Sequence, residues 1–600
     1  MEKLKTTAEL LSELGNLDIQ LWVEGDRLKF NAPKGALTPE LRLQIKERKM
    51  EIIAFLSQKS DGKDDEDSYD VAICGGGLAG STLARQLKLN VPDISVIVLD
   101  RLARPLPEAT FKVGESTVEV GAFYLAKTLQ LEDYLEQYHC HKLGLRYFFG
   151  NARDSFEKRP ELGLSVFRSP HSYQIDRGKF ENDLRKLNAE NGVELLENCL
   201  VKDIKLAKAT QPFHRIIYTK GDNKSTQTLK ARWIVDAMGR RRFLQKKLGL
   251  AQPNNKNFSA VWFRVDGRFD VSDFVSQMEE EWHNRVPNNN RYYSTNHLCG
   301  EGYWVWTIPL ATEHTSIGIV TNEQVHPFEK YHTYERAKMW LKENEPILYS
   351  HLERIEPKDF KKMPRYSYSS KQVFSLNRWG CVGEAATFPD PFYSPGTNMI
   401  GFGNSLMTQI VSLDLEDKLT QKKVEEANYF YLSQNNGLTS NIQKSYSCFS
   451  SEIVMATKFI WDTLTGWVLS CPMMFNAIFL DPLLSAKIQR VTGSFSSLSY
   501  RVQQLFLDWA AQSRGIVSFE FIDYLAIPFV RELRERNLKS NKTEQELIDD
   551  RAASLEILEE FAQVIFLLAL EDTMPEMLSK LSSISWLNAW AISLDPDKWE

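Results

Sequence analysis

Three glycines spaced Gly75-x-Gly77-x-x-Gly80 stand between a short apolar run, Tyr69-Asp70-Val71-Ala72-Ile73-Cys74, and a helical one, Ser81 to Leu87. Strand, glycine turn and helix in that order make a seat for a dinucleotide diphosphate. Gly75 serves the tight turn, Gly77 lets the backbone approach the phosphates and Gly80 lets the helix lie close to the strand. The helix N-terminus then faces the phosphate charge. A second strand, Ile94 to Leu99, ends in Asp100, twenty residues past Gly80, where a carboxylate can accept from ribose hydroxyls. These residues imply dinucleotide binding without saying which dinucleotide; a glycine turn with no ligand is the alternative.

Two later stretches bear on that choice. Ile234-Val235-Asp236-Ala237-Met238-Gly239 is an apolar strand running into Asp-x-x-Gly. Gly380-Cys381-Val382-Gly383-Glu384-Ala385 is followed by Asp390-Pro391-Phe392-Tyr393-Ser394-Pro395-Gly396-Thr397-Asn398 and a helical run. Upstream, Ile175-Asp176-Arg177-Gly178-Lys179-Phe180 opens a further helix. Together these resemble the FAD-contacting segments of the large flavoprotein class that contains para-hydroxybenzoate hydroxylase. The resemblance implies an α/β FAD-binding fold with a mixed-sheet substrate region, and Arg177, Asp236, Gly239, Glu384, Gly396 and Thr397 as cofactor residues. Glu384 stands where the class has aspartate, which keeps the charge one methylene further out.

Trp304-x-Trp306-x-Ile308-Pro309 is similar to the WxWxIP signature of flavin-dependent halogenases. Alternation along a strand puts both indoles on one face, as bulk that would keep an organic substrate from the flavin while leaving room for a halide. Lys142, in His141-Lys142-Leu143-Gly144-Leu145-Arg146-Tyr147, fits the family's Lys-x-Gly-x-x-aromatic segment, and Gly114-Glu115-Ser116-Thr117 its flavin-packing segment. The resemblance implies that reduced FAD and O2 form a flavin hydroperoxide, that chloride or bromide is oxidised to hypohalous acid, and that Lys142 relays the halogen to the substrate. Lys142, Trp304 and Trp306 are then the catalytic residues, and Gly114, Glu115 and Ser116 join the cofactor set. No second glycine fingerprint for NAD(P)H occurs, so a separate flavin reductase is expected.

Two departures qualify this reading. The family's halide-cradling Ser-Thr-Gly is here Ser394-Pro395-Gly396, and proline has no N–H to donate. Tyr393 replaces the acidic residue that tryptophan-selective members place beside their substrate, which argues against free tryptophan. An FAD-dependent oxygenase or desaturase that uses no halide is the second reading, and an inactive scaffold the third.

Other elements must position and deliver this machinery. Residues 1–57 read as helix, hairpin, helix: an amphipathic run from Thr7 through Leu10, Leu11 and Leu14; strands Ile19–Val23 and Arg27–Phe30 about the turn Glu24-Gly25-Asp26; then Thr38-Pro39-Glu40 as a capped helix start. Leu41, Ile45, Ile52, Ile53 and Leu56 supply the last helix's apolar stripe. The segment resembles the N-terminal docking domains of hybrid peptide synthetases, like that of tubulysin assembly, which implies a peptide or polyketide synthase or a carrier protein as partner. Residues 58–68 are polar and acidic, a linker. Residues 69–438 are the expected FAD-binding domain. Residues 439–600 are expected to be helical, with stripes through Phe459, Ile460, Trp467 and Val468, then Leu505, Phe506 and Trp509, then Ile557, Phe561 and Val564, capping the substrate cavity.

Composition narrows the rest. A net charge of −6 over 600 residues leaves no footprint for nucleic acid, and Arg240-Arg241-Arg242 reads as a solvated helix start. Seven scattered cysteines show no zinc spacing, so no metal is expected, and they suit a reducing cytoplasm. No run is long and apolar enough to span a bilayer.

Overall fold

The computed structural model describes residues 14, 19–24, 27–33, 38–52, 68–107, 112–208, 211–221, 225–254, 257–493, 495–578 and 594. The expected first helix, apart from Leu14, the turn at Gly25-Asp26, and the expected linker, apart from Ser68, lie outside them. The chain divides into two compact units, Met1–Ser68 with Thr228–Lys230, and Tyr69–Gln227 with Ala231–Glu600.

In the smaller unit, strands Gln20–Glu24 and Arg27–Asn31 pair antiparallel, with Leu21 opposite Phe30. The helix Pro39–Glu47 starts as its sequence dictates: the Thr38 side chain accepts from Leu41 N and proline occupies the first turn. Leu14, Ile19, Leu41 and Ile52 form its small core.

The larger unit is built on two sheets. In the first, Ser68–Cys74, Val96–Leu99 and Glu194–Leu196 run parallel, and Cys199–Lys205, His214–Lys220 and Gln227–Asp236 extend it on the other side. Trp379–Cys381 pairs parallel to the end of Gln227–Asp236. Three chain segments therefore deliver strand ends to one edge of the glycine turn, the arrangement in which open α/β sheets bind ligands.

The second sheet runs Lys361–Met363, Phe258–Asp266, His314–Asn322, Tyr303–Leu310, Thr295–Gly300, Leu145–Phe148, Glu161–Gly163 and Phe521–Asp523. Most neighbours are antiparallel, but Thr295–Gly300 with Leu145–Phe148, and Glu161–Gly163 with Phe521–Asp523, are parallel. This is the mixed sheet that the family resemblance implied.

Long helices follow: Gln421–Ser445, Glu452–Thr465, Phe495–Gln512 and Glu544–Thr573. The expected boundary at 438/439 falls inside the first of these, and both sides belong to one compact unit. The C-terminal third, expected to be mostly helical, also supplies the short strand Phe521–Asp523, which completes the second sheet. Of its expected stripes, Val564 is 48% exposed, whereas Phe459, Trp509 and Phe561 are buried.

The arginine triplet also differs from expectation. Arg242 is buried, its Nη2 donates to Ser369 O at 2.6 Å and its guanidinium lies 4.0 Å from the centre of the Tyr368 ring. It is a packed cation–π partner, not a solvated one. No helix among the described residues is long and apolar enough to cross a membrane.

Candidate functional site

The glycine turn is enforced sterically. A Cβ at Gly75, whose φ is +114°, would lie 2.3 Å from Ala237 O, and one at Gly80 would lie 1.9 Å from Gly75 O. The helix Leu78–Asn90 opens with Gly77 at its N-cap, where a Cβ would meet nothing nearer than Lys112 Nζ at 3.8 Å. Gly77 is therefore demanded by no internal contact, which suits close approach of a ligand. Asp100 braces the turn, accepting from Gly76 N at 2.5 Å, from Leu102 N at 2.7 Å and from Arg185 Nη2 at 3.2 Å.

Beside this turn lies a cavity. Its wall includes Gly114, Glu115, Ser116, Arg177, Trp304, Trp306, Glu384, Gly396 and Thr397, nine of the residues singled out from sequence. It also includes Leu78 at the start of the glycine-turn helix, so the turn and the cavity are continuous.

The six remaining cofactor assignments, Gly75, Gly77, Gly80, Asp100, Asp236 and Gly239, frame the turn instead of lining the cavity. Asp236 is buried, and its two oxygens accept from Met238 N at 3.0 Å and Leu244 N at 2.8 Å. It shapes the bend that carries Gly239 towards Glu384. Glu115 lines the cavity, but its carboxylate is paired with Arg264 at 2.7 Å.

The two tryptophans share a face of the strand Tyr303–Leu310, with ring centres 5.5 Å apart. Each indole is fixed. Trp304 Nε1 donates to Tyr446 Oη at 2.9 Å, and Trp306 Nε1 to Ser316 Oγ at 3.2 Å. Trp306 lies over Gly318 on the neighbouring strand, where a Cβ would sit 2.1 Å from its Cζ2. Gly318→Ala is expected to displace this indole and lower product formation at least tenfold while FAD still binds; unchanged turnover with normal FAD content would remove Trp306 from the site.

Lys142 ends the short strand Cys140–Lys142, paired with Ser172–Gln174. It is 4% exposed and lies one side chain behind the cavity wall. Its Nζ donates to Ser116 Oγ at 2.8 Å and Thr117 O at 2.7 Å. The Ser116 hydroxyl also meets Ser394 Oγ at 3.0 Å and Thr295 Oγ1 at 2.8 Å, so it accepts from Lys142 and Ser394 and donates to Thr295. Burial pushes the Lys142 amine down to about 7, against a smaller upward pull from Glu119. A neutral amine with both hydrogens engaged keeps its lone pair.

Sequence reasoning left Thr295, His297 and Asp390 out of the site, and named Ser394 only as part of the departing halide segment; all four stand in the cavity wall. His297 sits opposite Trp306 in the strand register, its centre 5.3 Å from that of Trp304, and burial pushes it down to about 3, so it is neutral. Asp390 accepts from Tyr366 Oη at 2.6 Å and Phe392 N at 2.9 Å, with Tyr446 Oη at 3.2 Å; burial pushes it up to about 6. Only strand pairing reveals His297, whereas Asp390 stood within a quoted segment.

Tyr393 points away from the cavity wall into the helices, donating to Asp462 Oδ2 at 3.0 Å and packing against Phe392 and Phe459. Tyr446 and Asp462 both come from the C-terminal helices, so these complete the site's outer layer.

The residues present fit FAD. A glycine turn that internal packing keeps open at Gly77 leads into a largely apolar cavity walled by two indoles, and at Gly396 no atom lies within 4 Å of where a Cβ would stand. Gly396 begins the helix Gly396–Leu415 directly after Pro395, so the amides of Gly396 and Thr397 are first-turn donors without an intrahelical partner.

Comparison with known proteins agrees. Residues 8–58 match the TubC N-terminal docking domain, and residues 68–398, more than half of the chain, match the FAD binding domain family. The flavin-dependent halogenase chlA of Dictyostelium discoideum is 26% identical over 480 residues, 75% of this chain and 78% of the relative. The 1H-pyrrole-2-carbonyl-[peptidyl-carrier protein] chlorinase of Pseudomonas fluorescens is 26% identical over 353 residues, 55% of this chain and 73% of the relative. The crystal structure of halogenase PltM in complex with phloroglucinol and FAD shares the fold, with a TM-score of 0.57 at 17% identity, over 86% of this chain and 99% of that one. The chain therefore belongs to the FAD binding domain family, as an FAD-dependent oxidoreductase whose relatives include the flavin-dependent halogenases.

Proposed function

We propose that this protein halogenates an acyl or aminoacyl group tethered to a carrier protein of a peptide or polyketide assembly line. The observation that carries the proposal is the buried Lys142 amine, hydrogen-bonded through Ser116 to a cavity walled by Trp304 and Trp306. An oxygenase of this fold has no evident use for a desolvated amine behind its flavin cavity.

Reduced FAD, when bound, supplies with O2 the oxidising equivalents that convert chloride or bromide into hypohalous acid. The protein does the rest. Gly75, Gly77 and Gly80 hold the diphosphate, while Arg177 and Glu384 belong to the cavity wall. Trp304 and Trp306 bar the organic substrate from the cavity. Lys142 takes halogen from hypohalous acid, its nitrogen exchanging hydrogen for halogen with release of water, or holds the acid by a hydrogen bond, and presents it on the far side. The amides of Gly396 and Thr397 replace the missing Pro395 donor in receiving halide.

The match of residues 8–58 to a docking domain supports an assembly-line partner, and the chlorinase relative supports a carrier-bound substrate. The hairpin edge would accept an extended tail from that partner by strand addition. Reduced flavin comes from a separate reductase.

Intact-mass measurement on carrier-loaded acids tests this, with FAD, NADH, a flavin reductase and chloride or bromide. The expected product carries a chlorine or bromine isotope pattern and forms only when halide and reductase are both present. Gain of oxygen or loss of two hydrogens would favour the oxygenase or desaturase reading instead.

A further inference from the structure

We propose that Glu136, His141 and His171 form a binding site for a divalent transition-metal ion of the zinc type, on the outer face of the ribbon that carries Lys142. The three residues come from separate elements: the helix Glu132–Tyr138, the strand Cys140–Lys142, and the residue just before the strand Ser172–Gln174. One ligand atom from each converges, all within 4.8 Å of one another.

The donor set is chemically apt. Glu136 Oε2 lies 2.5 Å from His141 Nε2, and Glu136 Oε1 lies 3.4 Å from His171 Nδ1, with the imidazole centres 4.2 Å apart. Ligands of a tetrahedral zinc with bonds of about 2.0–2.1 Å stand about 3.4 Å from one another, so small side-chain rotations open the cluster to an ion. Two imidazole nitrogens and one carboxylate suit zinc, copper or nickel and leave a position for water, whereas calcium and magnesium require oxygen-rich sites. An outer partner is also in place. Tyr173 Oη donates to Glu136 Oε1 at 2.6 Å, the kind of hydrogen bond that orients a ligating carboxylate.

Alternation along the strand links this site to the cavity. Lys142 turns inward and is buried, while the neighbouring His141 turns outward with its side chain 33% exposed. His141 stands opposite Tyr173 in the ribbon, and Lys142 opposite Ser172, the residue after His171. An ion there would fasten the helix and both strands of the ribbon at the position next to the amine. Sequence could not show this, because the ligands are 5 and 35 residues from Glu136 and in no zinc spacing.

The test uses the tag-free, FAD-loaded, full-length protein. Zinc is titrated in competition with a chromogenic chelator, and cobalt is added separately to read the visible bands of a low-symmetry site. One equivalent of zinc is expected to bind. Tyr173→Phe should weaken binding about 10–100-fold, and the double variant His141→Ala/His171→Ala should abolish it, with FAD content unchanged in both. Absence of stoichiometric uptake by the native protein, or uptake undiminished in the double variant, would overturn the proposal and leave Glu136 as a plain acceptor for two imidazoles.

Discussion

Lys142→Met should cut formation of halogenated product by at least about 100-fold, the scale on which a positioned catalytic group acts, while the oxidation of reduced FAD by O2 continues. The two activities separate because the amine stands behind the cavity wall, reaching it only through Ser116. Methionine fills nearly the same volume. It leaves Thr117 O without the Lys142 donor, at a cost of about 1–3 kcal/mol, while Ser116 Oγ keeps that of Ser394, and it also removes a buried group whose charged form burial disfavours. The variant should therefore fold, bind FAD and release oxidising equivalents as peroxide or free hypohalous acid. Product by mass spectrometry, peroxide by a coupled assay and FAD by absorbance check the three parts. Retention of halogenation within threefold of the native rate would remove Lys142 from the chemistry.

How far the site could be read from sequence follows from the range of the contacts that build it. The glycine turn, the Thr38 cap and the paired tryptophans are set within a few residues, so their spacing carries the geometry. The relation of Lys142 to the cavity is a contact over 26 residues to Ser116, and the spacing motif found the lysine without showing what it touches. The rest of the wall is assembled from afar. His297 arrives by strand register beside Trp306, and Tyr446 meets Trp304 across 142 positions. Asp236 illustrates the converse, since a residue in a cofactor motif spends both oxygens on the local backbone. Arg242 was read as solvated because only the fold places Tyr368 beneath it.

The C-terminal helices show the same limit on a larger scale. Their periodicity marks them as amphipathic, but not what their polar residues hold. Tyr393 and Ser394 both have left-handed backbone, with φ of 68° and 55°. Such conformations cost about 1–3 kcal/mol each and persist only where surroundings enforce them. The enforcement comes from Asp462, which accepts from Tyr393 Oη at 3.0 Å and is itself held by Lys458 at 2.5 Å and Gln503 at 2.7 Å. Through this partly buried carboxylate the helices fix the loop from which Ser394 reaches Ser116, so the region takes part in shaping the site as well as covering it.

Gly80→Ala and Gly77→Ala should have opposite signatures, which makes the pair a sharper test of the cofactor seat than either alone. At position 80 the new Cβ would stand 1.9 Å from Gly75 O and 3.1 Å from Ile73 Cγ2, so the helix Leu78–Asn90 must move off its strand. It has nowhere to go: Asn404 Nδ2 donates to Ala79 O at 3.0 Å, and Ser81 Oγ to Gly76 O at 3.0 Å. Overpacking of this kind costs about 1–3 kcal/mol and distorts the turn, so the variant should melt several degrees lower and be purified without yellow colour. At position 77 the backbone is ordinary, with φ of −77°, and the space is open, so the folded protein without cofactor should melt as the native one does. What the methyl group meets there is the diphosphate, and affinity for FAD should fall at least about tenfold. Thermal melts with and without added FAD, together with a flavin titration, measure both effects. Native-like FAD affinity in Gly77→Ala would mean that the backbone makes no close approach to a phosphate at this turn, and the assignment of the seat would fail with it.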